Sequence, residues 1–419
     1  MSVQTYSISY EDLYSRWERS NWSAMDLDFS TDREDWQHRF TDFERKAALW
    51  TYSLFFWGED AVADGLSPYI DAAPLEEQKY FLATQQVDEA RHTVFFTRFM
   101  EEVAGIGGST GEVLEATRPQ LTWGFRKIFD RLERMGHELR RDQSIPKLAQ
   151  AITLYHMIIE AMAAQPGQHF IERYLTERDV LPAFREGMHN VAQDEQRHIG
   201  FGVKMLADLK AMDPDEVPAA VAELLREVLP WTAALLVPPG WDMDYIECFG
   251  TTFVEIGTEG ATSLETKLRS AGLPLESLPG PPVFTHTLPA EERAIHGLRL
   301  VQQGVFGEKL GPPGRDPETM NSVFRFISHG LDTSKAPTPG VLQWDFKDAD
   351  PWYVAVDNGS TSYSQGRAPN PTVTFKSRYE DFVDIIAGRA DPKRMLLTGR
   401  YRPKGNLRWL WKAREMFPA

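Results

Sequence analysis

The chain has 419 residues, 42% hydrophobic and 25% charged, which is an ordinary soluble composition and long enough for two cores. A formal net charge of −16 argues against general nucleic-acid binding. A single cysteine, Cys248, excludes an intrachain disulfide framework and thiolate-rich metal sites. From Pro317 onward 15 Lys/Arg stand against 11 Asp/Glu, while the preceding residues hold 30 against 50, so an acidic unit is expected first and a basic one second. No apolar run approaches the roughly 18 residues that span a bilayer. Met1 to Trp22 shows no charged-then-apolar leader, and a cytoplasmic protein is expected.

The first half reads as long helices: Asp42 to Gly58, Leu75 to Val103, Ile145 to Tyr174 and Leu181 to Leu209. Their apolar residues recur at three- and four-residue intervals. Turn signals separate them at Gly65 and Pro68, at Gly105 to Gly108, and at Thr176 to Asp179. A further helix is predicted from Val217 to Leu236. Residues 270–316 are rich in Pro and Gly around one short helix, Ala290 to Gln303, and read as a linker or extension. Beyond them the pattern predicts a helix at Glu318 to His329, then strands at Val341 to Phe346, Trp352 to Asp357 and Pro371 to Lys376. A helix at Tyr379 to Ala387, a strand at Leu396 to Tyr401 and a helix at Asn406 to Met416 complete a small α+β unit. The expected division is therefore 1–269, 270–316 and 317–419.

One internal repeat organises the first unit. Val87-Asp-Glu-Ala-Arg-His-Thr-Val-Phe parallels Gln193-Asp-Glu-Gln-Arg-His-Ile-Gly-Phe. Each copy holds Glu-x-x-His: Glu89 with His92, and Glu195 with His198. Three residues apart on a helix, a carboxylate and an imidazole share a face and can bind one ion or two adjacent ions. A two-metal bundle also needs one Glu from each of the other two helices. Glu59 lies 30 residues before Glu89 and Glu160 lies 35 before Glu195. Each gap fits one antiparallel hairpin of about 20 Å per arm. Both glutamates sit among apolar residues, where an ionised carboxylate is costly without a cation. Four carboxylates and two imidazoles suit iron or manganese. Asp88 and Asp194 are placed to orient ligand imidazoles, or else to pair with the neighbouring arginines.

These residues resemble the ferritin-like dimetal carboxylate proteins. Ribonucleotide reductase small subunits that store a tyrosyl radical usually carry a tyrosine four residues after the first ligand histidine; here Phe96 stands there, so the usual radical is not expected. Val62, three after Glu59, and Tyr155, five before Glu160, resemble the ribonucleotide-reductase-like ligand-binding oxidases. That resemblance implies an all-α ferritin-like four-helix bundle with extra helices over about residues 35–260. It also implies a Mn/Fe or Fe/Fe centre, a long-chain acyl ligand, and an ether cross-link between Val62 and Tyr155. Some arylamine oxygenases add a histidine four before the last Glu-x-x-His, where this chain has Val191; His156 is the remaining candidate to face the metals. The stretch Asp381-Phe-Val-Asp-Ile-Ile-Ala-Gly-Arg-Ala-Asp-Pro with Leu397-Thr-Gly-Arg-Tyr-Arg-Pro-Lys-Gly-Asn resembles a sterol-carrier-protein type 2 domain, which implies an apolar, lipid-binding interior.

The expected function is a dioxygen-using dimetal oxidase or oxygenase on a hydrophobic, fatty-acyl-like substrate. Tyr155 would be its redox partner, Phe96 and Trp57 apolar walls, and an unidentified protein or small molecule its electron donor. A homodimer is expected. The alternatives are a di-iron N-oxygenase or desaturase and, from another class, a non-enzymatic carrier of metal or lipid.

Overall fold

The computed structural model describes residues 8–417, which form two compact units. The first takes in the described residues up to Leu224 together with Leu235–Ser277. The second takes in Leu225–Ala234 and the described residues from Leu278 on, so the Pro/Gly-rich segment after Leu278 belongs with the C-terminal unit.

Four long helices make the bundle of the first unit: Asp42–Gly65, Glu76–Glu102, a third running from Ile145 to Arg178, and Pro182–Met212. The first opens on a capping box, in which Thr41 accepts from Glu44 N–H while the Glu44 carboxylate accepts from Thr41 N–H. The fourth has no capping side chain of its own at Leu181. A neighbouring helix, Ser30–His38, supplies the acceptors instead. Asp35 accepts from Leu181 N–H at 2.9 Å, and Asp32 accepts from Ala183 and Phe184 N–H at 3.0 and 2.8 Å. Those N–H groups would otherwise be orphans of the helix end.

The third helix departs from regular geometry. It is α-helical over Ile145–Ile152 and Gln165–Arg178, but Thr153–Ala164 between them is π-helical. Residues five apart diverge by about 140° on an α-helix, whereas the i→i+5 bonds of a π-helix bring them close to one face. Tyr155 and Glu160 are five apart. Gly202 lets the fourth helix press against this segment, because a Cβ there would collide with the His156 side chain. Three further helices, Tyr10–Arg19, Trp123–Leu139 and Phe253–Ser270, flank the bundle. Among the described residues no helix is long and apolar enough to cross a membrane.

The second unit holds a five-stranded sheet: β1 Gly340–Phe346, β2 Trp352–Asp357, β3 Ser360–Gln365, β4 Val373–Ser377 and β5 Arg402–Gly405. The spatial order is β3-β2-β1-β4-β5, with β1 and β4 parallel and the other pairs antiparallel. Helices Pro317–Gly330 and Tyr379–Ile386 contribute Phe324 and Phe382 to its core. Phe324 stacks on Trp352 at 5.0 Å and on Phe382 at 5.6 Å, and Trp344 lies 5.3 Å from Phe375. The segment expected as a strand at Leu396 to Tyr401 begins instead as the end of a short helix, Pro392–Leu397, and the edge strand starts at Arg402.

Candidate metal centre

The two lone glutamates and the two Glu-x-x-His pairs meet in the middle of the bundle, one contribution from each helix. All six are buried. His92 Nδ1 lies 3.1 Å from Glu59, 3.4 Å from Glu89 Oε2 and 3.7 Å from Glu195 Oε1. His198 Nδ1 lies 3.3 Å from Glu89 Oε1, 3.6 Å from Glu160 and 3.7 Å from Glu195 Oε1. Two sets of four donors result: Glu59, Glu89, His92 and Glu195; and Glu89, Glu160, Glu195 and His198. Each set keeps its donor atoms within 4.8 Å of one another. Glu89 and Glu195 belong to both, and Glu89 turns one oxygen toward each histidine. Two adjacent ions held here would share Glu89 and Glu195 as donors.

The electrostatics call for the ions. Burial pushes Glu59, Glu160 and Glu195 above the usual carboxylate range, with the neighbouring carboxylates adding to the effect. Glu89 is also penalised by burial, but the His198 and His92 imidazoles beside it, at 3.3 and 3.4 Å, hold it low. Burial alone would lower both histidines, yet the surrounding carboxylates raise them. Glu89 Oε2, Glu160 Oε2, Glu195 Oε2 and His198 Nδ1 are buried with no hydrogen-bond partner. Such orphaned acceptors are costly. Two divalent cations would satisfy them and balance the charge of four ionised glutamates.

A second layer fixes the imidazoles, and it is crossed. Asp194, beside Glu195, lies 3.1 Å from His92 Nε2 on the other helix; Asp88, beside Glu89, lies 3.1 Å from His198 Nε2. With Nε2–H donating to carboxylate, Nδ1 is left as the lone-pair donor facing the metal space. Arg91 and Arg197 each bridge both aspartates, so orientation of imidazole and pairing with arginine are realised together. Trp17 and Trp22 indoles donate to Asp88 and Asp194 at 2.8 Å each. Their contribution arrives from a segment where sequence spacing gives no hint of it.

Tyr155 donates to Glu89 Oε1 at 2.6 Å. Gln85, one turn before Glu89, donates to both the Tyr155 hydroxyl (3.0 Å) and Glu160 Oε1 (2.8 Å). In the sequence Gln85 is marked only by its place four residues before Glu89. His156 does not reach the metal space. Its Nε2 lies 3.1 Å from Gln85 Oε1, and burial pulls it down to about 3, so it is neutral.

The glutamates of the centre border a cavity with about 700 Å³ of empty space, part of it continuous with solvent. Glu59, Glu89, Tyr155, Glu160 and Glu195 line its polar end, and Val62 lines it too. The apolar walls are Phe55, Phe125, Phe129, Ile159 and Phe170. Phe96 and Trp57, expected as walls, are not. Phe96 sits behind Phe55, stacked at 6.2 Å, and Trp57 donates to Thr117.

Comparison with known proteins fits this geometry. The family model described as "Ribonucleotide reductase, small chain" matches residues 3–231, more than half the sequence. The chain belongs to that family. The SCP-2 sterol transfer family model matches residues 330–417. Among solved structures, the R2-like ligand-binding oxidase from Sulfolobus acidocaldarius is 24% identical, with a TM-score of 0.51, over 66% of this chain and 98% of its own. A variant R2-like ligand-binding oxidase with an anaerobically reconstituted Mn/Fe cofactor is 22% identical, with a TM-score of 0.53, over 64% of this chain and 96% of its own. Another, aerobically reconstituted, is 22% identical with a TM-score of 0.54, over 64% and 95%. These likenesses establish the fold.

Proposed function

We propose that the chain is a dimetal oxidoreductase that uses dioxygen and acts on a hydrophobic, fatty-acyl-like molecule. The observation that carries this is the pair of four-donor sets, sharing Glu89 and Glu195, whose glutamates line a largely apolar cavity. Glu59, Glu89, His92, Glu160, Glu195 and His198 would hold two ions, Mn/Fe or Fe/Fe. When bound, the ions would supply the electrons and Lewis acidity that dioxygen reduction needs.

The remaining work falls to the protein. The phenyl and isoleucine walls bind an acyl chain and exclude water, leaving its carboxylate at the polar end. Gln85, by donating to the Tyr155 oxygen, orients the Tyr155 proton toward Glu89, where a proton can be passed or held. Val62 and Tyr155 face the same cavity, which supports the ether cross-link. That step forms a C–O bond, breaks one C–H and one O–H, and delivers two protons and two electrons to dioxygen. His156, neutral and engaged with Gln85, gives no support to an arylamine oxygenase with an extra ligand. Buried glutamate oxygens without partners disfavour an inert scaffold.

For the C-terminal domain we propose a hydrophobic or lipid ligand, supplied to or shielded from the bundle. A homodimer is supported by an exposed stripe on the second bundle helix, Tyr80, Val87 and Val94, spaced seven residues apart. Turnover would also need an electron donor to reduce the ions. Cys248, the single cysteine, cannot form an intrachain disulfide, which is compatible with a reducing cytoplasm.

Metal analysis combined with oxygen uptake tests the reading. Reduced, metal-loaded protein is expected to hold two ions per chain and consume dioxygen. A chain that retains no stoichiometric metal, or loads it without oxygen uptake, defeats the proposal.

A further inference from the structure

The last helix, Leu407–Met416, has two apolar faces. Trp409, Ala413 and Met416 are buried against the domain. Leu407 and Trp411, one turn apart on another side, are 74% and 82% exposed. The short helix that precedes β5 in the chain ends in Leu396 and Leu397, exposed by 50% and 88%. Four large apolar side chains in water within 16 residues need an explanation that scattered surface leucines do not.

Charge supplies it. Residues 392–412 contain seven Lys/Arg and no Asp/Glu, in a chain whose net charge is −16. Two of the seven have carboxylate partners from outside the stretch, Arg400 with buried Asp381 and Lys412 with Glu415. Arg408 and Lys412 are one turn apart and follow Leu407 and Trp411 directly, so cations border the exposed apolar face. An exposed tryptophan and leucines bordered by Lys and Arg, whose long stems can lie along apolar surface, match the layered chemistry of a bilayer surface. The apolar residues fit the acyl boundary, the indole the interface, and the cations the anionic headgroups. An acidic protein groove would use the cations but leave Leu397 and Trp411 without a purpose.

We infer that the exposed apolar and basic residues flanking β5 dock this chain on an anionic lipid bilayer. The inference is independent of the metal centre: a chain unable to hold metal still docks.

Vesicle co-sedimentation of the full chain tests it, comparing phosphatidylcholine alone with phosphatidylcholine containing about 30% phosphatidylserine. The wild type is expected to sediment with the anionic vesicles, not with the neutral ones, and to be released by salt. Leu407→Ser/Trp411→Ser and Arg408→Glu/Lys412→Glu are each expected to weaken partitioning at least tenfold. Because all four side chains lie at the surface or beside it, unchanged circular dichroism and melting verify that each variant folds. Wild type left in the supernatant, equal binding to neutral vesicles, or both variants binding like wild type overturns the inference. So does a fall in oligomer size by light scattering in Leu407→Ser/Trp411→Ser, which would assign the face to a second copy.

Discussion

The two halves of the repeat are alike where they hold histidine and unlike where they hold the lone glutamate. Each Asp-Glu-x-Arg-His copy sits on a regular helix, sends its aspartate across to the other copy's histidine, and has an indole behind that aspartate. Glu59, however, comes from a regular α-helix with Val62 one turn on. Glu160 comes from a π-helical segment that also brings in Tyr155. One turn before the repeats the halves differ again: Gln85 precedes Glu89, and apolar Val191 precedes Glu195. Symmetry therefore groups the donors that could hold two ions, while the asymmetry places one hydroxyl and one amide on a single side of the site.

The sharpest way to break the symmetric part is Glu89→Ala. Glu89 belongs to both donor sets, so both ions are expected to be lost. Metal content should fall from two per chain to near zero by elemental analysis, while circular dichroism keeps its helical signal. Retention of one tightly bound ion would show that the halves bind independently. Asp194→Asn and Asp88→Asn should each weaken metal about 10–100-fold, since each loosens one imidazole. The crossed pattern makes the outcome specific: Asp194→Asn acts on the His92 side and Asp88→Asn on the His198 side. Loading with one equivalent of metal and reading site occupancy by spectroscopy separates them.

The asymmetric part is tested by Tyr155→Phe. Aerobic loading of the wild type is expected to remove two hydrogens from the intact mass, and the variant should show no such loss. A variant that still loses them excludes the Val62–Tyr155 bond. Metal content should change little, because Tyr155 donates to Glu89 rather than binding an ion.

Much of this was legible before folding, for a definite reason. A ligand needs a residue type at a spacing, and Glu59, Glu89, His92, Glu160, Glu195 and His198 advertise both. Val62 and Tyr155 were readable only through a resemblance, because nothing in Tyr155-His-Met-Ile-Ile-Glu announces a π-helix; its apolar residues fit an α-helix equally well. The two indoles are invisible for a different reason, since hydrogen bonding to a carboxylate many residues away leaves no periodicity, and Gln85 offers only its place four residues before Glu89. The cavity walls Phe125 and Phe129 come from Trp123–Leu139, a helix the pattern did not single out. In the second unit β3, Ser-Thr-Ser-Tyr-Ser-Gln, is an edge strand with no buried residue, so alternation of apolar and polar had nothing to mark.

The smallest expected effect concerns pH, and it follows from the same cluster. Without metal, burial raises Glu59, Glu160 and Glu195, and the carboxylates raise His92 and His198 against the pull of burial. The folded state therefore keeps protons that the unfolded chain has already released. Stability from these groups is present below their unfolded pKa values and is lost as pH rises through the folded ones. Glu89 and Asp194 are lowered, although burial opposes it, so theirs is present above the ordinary carboxylate range and lost in acid. The metal-free chain should accordingly melt lower at about pH 8.5 than at about pH 6. Bound cations keep the same ligands deprotonated at no such cost, so the rise in Tm on adding metal should be larger at the higher pH. Calorimetry of both forms at both values checks this. A metal-induced gain that is equal or larger in acid would mean that the buried protons are not what the cations replace.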